Sequence, residues 1–329
     1  MRTLQRLITT CLLLTAGIVI LAPQALYSDT KPTILVVRQQ QQLFEDFYKI
    51  LEVELGSYQL HDFILKPKPD YDRFKAEINQ RKPQLLILLD NTSIDFAQRY
   101  NRKAANPIFA VATMGLNLKH VLQASNFISG VAFEVPIYTS IVALRSISKK
   151  PIRRVLTVYR KDEFAAFIAD ARHQLKREQI ILSGFAVDQY MGNSESLNRA
   201  LKKTLRTRHG KKQFDAIWVM SDNRLMNRNN FRDLWLPKAQ ELDIPFVCGL
   251  KYLAKPDLDF CTFAATPDLK DLGAQIADQV LLILDEGHHP KELGVEYLLS
   301  PQFTINKRKA QAIDFEFSVE QEGSIEVVE

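Results

Sequence analysis

A chain of 329 residues exceeds what one core of ordinary size organises and is long enough for two lobes. Its 46% hydrophobic and 25% charged residues are those of a globular protein, with no tract long enough to suggest disorder. The formal charge is +5, or +3 without Arg2 and Arg6, and its two signs are interleaved; no element carries the basic stripe of a nucleic-acid binder.

The N-terminus opens on a positive segment, Arg2 and Arg6, followed by the mostly apolar stretch Leu7 to Ala22 and the breaker Pro23. This is the layout of a secretory signal peptide, expected over residues 1–28 with cleavage after Ala25 or Ser28. The stretch is shorter than the roughly 20 apolar residues of a spanning helix. An uncleaved N-terminal anchor is the alternative, and the product in either case is exported.

From Pro32 onward buried strands alternate with amphipathic helices. Ile34 to Val37 is a short apolar run, the pattern of a parallel strand covered on both faces. Leu43, Phe47, Ile50 and Leu51 recur at helical spacing. Strands follow at Tyr58 to Leu65, Gln84 to Leu89 and Pro107 to Thr113, with helices at Tyr71 to Gln80 and Ile94 to Tyr100. The second half repeats the scheme: strands at Val155 to Tyr159, Ile180 to Val187, Phe214 to Met220, Ile244 to Cys248 and Phe260 to Ala264, separated by helices. Thr266-Pro267-Asp268 predicts a helix start with Thr266 as cap and Pro267 as the first helical residue. That helix runs to Gly287, and His288-His289 is a surface turn. The class is α/β, two doubly wound parallel-sheet lobes with a cleft between them.

Ser129-Gly130-Val131, a helix, Pro151, and Arg154 to Tyr159 begin a series of motifs that continues through Asp215 to Asn223, Ile244-Pro245-Phe246-Val247, Asp268 to Gly287, and Thr304 to Ala310. In this order the chain resembles the ABC-transporter substrate-binding family of type I periplasmic binding fold, whose characterised members bind aromatic amino acids. The resemblance implies a three-strand hinge, a first lobe of 29–130 plus 262–287, and a second of 131–261 plus 288–329. It also implies a small-molecule ligand and a membrane partner: an ABC permease and ATPase, or a membrane sensor. The chain departs from the family at Asp90 to Ser93 and at Thr113 to Gly115, which puts ligand identity in doubt.

In such sheets ligands lie beyond the carboxyl ends of the strands. The candidate binding residues are therefore Gln39, Gln40, Asp90, Asn91, Thr92, Ser93, Thr113, Tyr159, Arg160, Asp222, Asn223 and Gly249. An amino acid needs a carboxylate for its ammonium, donors for its carboxylate and an apolar wall. Asp222 suits the first and equally suits a helix cap; Thr92 and Ser93 could offer free N–H groups or cap their own helix. Arg38 and Arg160 could pair with a ligand carboxylate or lie on the surface, and Tyr159 could stack on a ring or fill the core. No hydrolase elbow, phosphate loop, dinucleotide fingerprint or zinc-protease motif is present, so a non-enzymatic, monomeric binding protein without metal or cofactor is expected. Cys248 and Cys261 lie in apolar strand contexts and are expected to be free thiols, a disulfide being the alternative.

Overall fold

The computed structural model describes residues 31–205, 213–318 and 325–329; the expected leader lies outside the described residues. The first half alternates β1 (Thr33–Gln39), α1 (Gln42–Glu54), β2 (Gln59–Leu65), α2 (Tyr71–Arg81), β3 (Leu85–Leu88), α3 (Asn91–Asn101), β4 (Phe109–Ala112), α4 (Leu118–Val121) and β5 (Ile128–Ala132). It is followed by α5 (Ile137–Ile147), β6 (Arg154–Tyr159), α6 (Lys161–Arg177), β7 (Ile181–Ala186), α7 (Ser194–Thr204), β8 (Ala216–Val219) and α8 (Arg228–Asn230). A π-helical turn, Phe231–Trp235, joins α8 to α9 (Leu236–Glu241). Then come β9 (Phe246–Cys248), β10 (Phe263–Pro267), α10 (Leu269–Leu284), α11 (Pro290–Leu293), β11 (Val295–Tyr297), β12 (Pro301–Asn306), α12 (Lys307–Ala312) and β13 (Ile325–Val328).

The strands form two sheets, in the orders β2-β1-β3-β4-β5-β11 and β7-β6-β8-β9-β10-β12-β13. Every pairing is parallel except β10 with β12. Both sheets therefore share one plan: the first strand lies between the second and third, and the winding reverses there. Such a switch point leaves a crevice beyond the strands' carboxyl ends. The register matches too, with Val37 beside Leu88 in one sheet and Val158 beside Val219 in the other.

Burial explains the strand sequences. Ile34 to Val37 and Leu85 to Leu88 are wholly buried because helices cover both faces. Phe44, Phe47 and Leu51 of α1 face one side of the first sheet, where α10 joins them through Leu272, Ile276 and Val280. Phe74 of α2 and Ala97 of α3 cover the other face. Gly130 shows why β5 needs glycine: a Cβ there would lie 2.1 Å from the Ala112 carbonyl oxygen.

The chain crosses between the sheets three times, at residues 133–136, 267–268 and 298–300. β10 stands in the second sheet and β11 in the first. The sheets thus divide residues 262–267 and 295–297 differently from the lobe boundaries expected from sequence.

Two local expectations are corrected. Pro267 ends β10 rather than opening the helix, and Asp268 is the cap, its side chain accepting from the N–H groups of Lys270 and Asp271. Thr266 is held in the ladder opposite Gln302. Cys248 and Cys261 are not free thiols but a disulfide, with Cα atoms 6.2 Å apart. Cys248 ends β9 beside Ala264 of β10, and Cys261 lies just before that strand, so sheet pairing brings the two within bridging range.

Candidate functional site

A cavity of about 540 Å³ opens between the carboxyl ends of the two sheets. That is the size of a small-molecule site. The first sheet contributes Gln41, Leu43 and Phe44 at the start of α1, Met114, Leu116 and Asn117 after β4, and Phe133, Glu134 and Val135 on the first crossover. The second contributes Phe164 and Phe167 of α6, Trp218, Met220, Ser221 and Asn223 at the end of β8, Met226, Arg228 and Phe231 around α8, and Gly249, Leu250 and Tyr252 after β9. Its walls are mainly aromatic and apolar, with few charged groups.

Local chemistry fixes these walls. Phe164 and Phe167 stand three residues apart, so one face of α6 carries both toward the cavity. Asp188 ties down the start of that helix, accepting from the backbone N–H of Lys161 at 2.9 Å and of Asp162 at 3.0 Å. Desolvation pushes the Asp188 carboxyl up, but those N–H groups outweigh it and hold it down at about 2. In the β4 loop, Asn91 clamps Leu116 twice: its Oδ1 accepts from the Leu116 N–H at 2.6 Å and its Nδ2 donates to the Leu116 carbonyl at 3.2 Å. Met114 and Asn117 both adopt left-handed backbone conformations, φ 57° and 54°. Asn tolerates this region; for Met it costs about 1–2 kcal/mol, strain of the kind found at binding loops.

Asn117 joins the two sides. Its backbone N–H donates to Glu134 Oε1 at 2.6 Å, and its Nδ2 donates to the Glu163 carbonyl of α6 at 2.7 Å. Glu134 has no cationic side chain paired with it among the described residues. Desolvation pushes its carboxyl above the usual range, against the Asn117 hydrogen bond.

Beneath the cavity floor lies a buried ion pair. Arg160 Nε donates to Asp222 Oδ2 at 2.7 Å, and its Nη2 reaches Asp222 Oδ1 at 3.4 Å. Asp222, 1% exposed, also accepts from the Arg224 N–H at 2.9 Å. Arg160 further contacts Glu163 at 3.2 Å and sits 5.6 Å from the Phe164 ring centre. The pair thus braces both the β8 loop and the start of α6.

Of the residues expected from sequence, Asn223 and Gly249 line the cavity. Asp222 and Arg160 lie under it, paired with each other. Gln39, Asp90, Thr92 and Ser93 form a second cluster at the switch point of the first sheet. There Asp90 caps α3, its Oδ1 accepting from the Ser93 N–H at 2.8 Å and its Oδ2 from the Gln39 N–H at 3.0 Å. Desolvation pushes the Asp90 carboxyl up and these hydrogen bonds oppose it. Gln39 Nε2 approaches Thr92 Oγ1 at 3.4 Å. Gln40 is exposed in the turn before α1, and Asn91 is the loop clamp. Thr113 donates to the Val131 carbonyl at 2.9 Å, and Tyr159 packs in the core of the second sheet. Arg38 pairs with Asp62 at 2.6 Å.

Sequence reasoning missed Phe133, Glu134, Phe164, Phe167 and Trp218 as cavity residues. Glu134 had a visible signal, a lone acid inside the apolar run Val131 to Val135. Phe164 and Phe167 carry the same helical spacing as a core stripe, and spacing cannot say whether a cleft or a core lies opposite.

No protein-family model matches the chain, and no curated protein matches it in sequence. Solved structures do match in fold. The ligand-free, open structure of a substrate binding protein with adhesive properties from Clostridium difficile superposes with a TM-score of 0.65 at 13% identity, over 91% of this chain and 99% of that one. This is the type I periplasmic binding fold. An ABC domain from Streptococcus pneumonia in complex with L-Trp shares that fold at a TM-score of 0.59 and 13% identity, over 90% of this chain and 100% of that one. So does a LacI transcriptional regulator from Rhodococcus, at a TM-score of 0.52 and 13% identity, over 82% of this chain and 96% of that one. The type I fold therefore houses more than one role, and function has to be argued from the cavity itself.

Proposed function

We propose that this protein is an exported solute-binding protein that captures a small organic ligand with an apolar or aromatic body between its two lobes and presents it to an ABC importer. The carrying observation is the cavity of about 540 Å³ between the carboxyl ends of the two sheets, walled by aromatic side chains from both. A ligand there touches both lobes at once and so favours their closed arrangement. The leader read from Arg2 to Ser28 supports export, and no helix among the described residues is long and apolar enough to cross a membrane.

Binding rather than catalysis suits the cavity's chemistry. No histidine lines it, and its one cysteine, Cys248, is held in the disulfide, so neither serves there as base or thiolate nucleophile. The Arg160–Asp222 pair is spent on holding the walls. The test is a thermal-shift screen of the purified protein against amino acids, amines, organic acids and sugars. A ligand that binds only the folded state raises the melting temperature, by RT ln(1 + [L]/Kd) in free energy. At least one compound with an apolar or aromatic body should do so, and sugars should not. A screen in which only sugars stabilise the protein overturns the reading.

A further inference from the structure

We infer that Glu134 is the anchor for a positively charged nitrogen, so that the ligand is an organic ammonium carried on an aromatic or apolar body. This rests on the solute-binding reading above and deepens it. Glu134 lines the cavity from the first crossover, flanked by Phe133 and Val135. Its carboxylate accepts from backbone N–H groups, that of Asn117 at 2.6 Å and its own, and among the described residues no cationic side chain is paired with it.

A carboxylate in such a place is costly. Desolvation beside apolar groups disfavours the charged form, and the backbone N–H groups of Asn117 and Glu134 compensate it only in part. A ligand cation supplies what is missing: an opposite charge and a charge-assisted hydrogen bond to the carboxylate. The surrounding rings act in the same direction, because aromatic faces attract cations and repel anions. Phe133, Phe164, Phe167 and Trp218 all line this cavity. An isosteric acid would instead place a second negative charge beside Glu134. Arg228, exposed on α8, is the cation that lines the cavity. It can meet a carboxylate on a zwitterionic ligand, but a lone acid bound to it would still face Glu134.

The experiment uses matched pairs that share an aromatic body and a two-carbon linker and carry head groups of opposite charge: tryptamine against indole-3-propionate, and phenethylamine against 3-phenylpropionate. Calorimetric titration of the wild-type protein is compared with Glu134→Gln, which can still accept from Asn117, and with Glu134→Asp, which keeps the charge. Circular dichroism confirms that both variants fold. The expected result is a preference for the amine of at least roughly tenfold in wild type, retained in part by Glu134→Asp and lost in Glu134→Gln. Tighter binding of the acids, or a preference that survives Glu134→Gln in a folded protein, overturns the assignment while leaving the solute-binding reading intact. Absence of binding by every probe of either charge overturns both.

Discussion

Arg160 and Asp222 form a buried ion pair at 2.7 Å beneath the cavity, joining the residue that follows β6 to the loop that leaves β8. Both side chains are almost fully enclosed, 4% and 1% exposed. Removing Arg160 leaves the Asp222 charge buried and unpaired, which typically costs about 3–5 kcal/mol, whereas removing Asp222 leaves Arg160 with the more exposed Asp162 and Glu163. Arg160→Met should therefore lower the unfolding free energy read from a urea titration by about that amount, and Asp222→Ala by no more. The double variant, with no charge left to bury, should lose much less than the sum. Additive losses would show that the two do not act as a pair.

The same two residues mark where sequence reasoning succeeded and where it stopped. Strand ends were legible because buried parallel strands are continuous apolar runs, and β3 and β8 each lead into an acid, Asp90 and Asp222. That placed both acids at switch points. It could not say what each acid would face. Asp222 meets Arg160 because β6 and β8 are neighbours, and the register beside Val158 and Val219 brings the two to one level. Glu134, although visible as a lone acid in an apolar run, was overlooked for a related reason: it lies on a crossover, outside any strand or helix, so no periodicity points to it. The disulfide was missed because an apolar setting is common to a buried thiol and a buried bridge; the proximity of β9 and β10 decides between them.

Asn117 donates to the Glu163 carbonyl from across the cleft. A single neutral hydrogen bond contributes about 1 kcal/mol. Asn117→Ala should leave overall stability within about that amount but widen the distribution of lobe arrangements. Small-angle scattering of the ligand-free protein would then give a larger radius of gyration than wild type; an unchanged radius would mean that this bond does not restrain the cleft.

Glu134 makes binding of a cation pH-dependent. Its carboxyl is pushed up by burial, so protons compete for it above the ordinary carboxylate range. The neighbouring Tyr297 stays neutral there, its hydroxyl being raised by burial and by the charges of Asp170 and Glu134, and Lys119 lies 5.4 Å from the Tyr297 ring centre. Amine affinity should fall as pH drops through the raised Glu134 value and level off above it. Stability moves the opposite way: with the folded value above the unfolded one, this group's contribution is fully present below the unfolded value and lost as pH rises through the folded one. Glu134→Gln should thus melt no lower than wild type at pH 8 while binding the amine more weakly. A variant that melts lower and binds equally would give Glu134 a structural role instead.

The Cys248–Cys261 bridge closes a short loop, the two residues being 13 apart in sequence. Chain-entropy reasoning assigns a bridge of that span roughly 3 kcal/mol. Thiol titration of the denatured, non-reduced protein should find neither Cys248 nor Cys261 reactive, and reduction should lower the melting temperature. Two reactive thiols from that pair would contradict the bridge.

The most direct measurement uses the chain's two tryptophans. Trp218 lines the cavity, whereas Trp235 is buried in the second core with its Nε1–H donated to the Leu225 carbonyl at 3.1 Å. In Trp235→Phe, emission reports on Trp218 alone. A ligand that raises the melting temperature should change that emission saturably, at the same half-point as its calorimetric titration. Stabilisation by the ligand with no change in Trp218 emission would place binding elsewhere and contradict a ligand site between the two sheets.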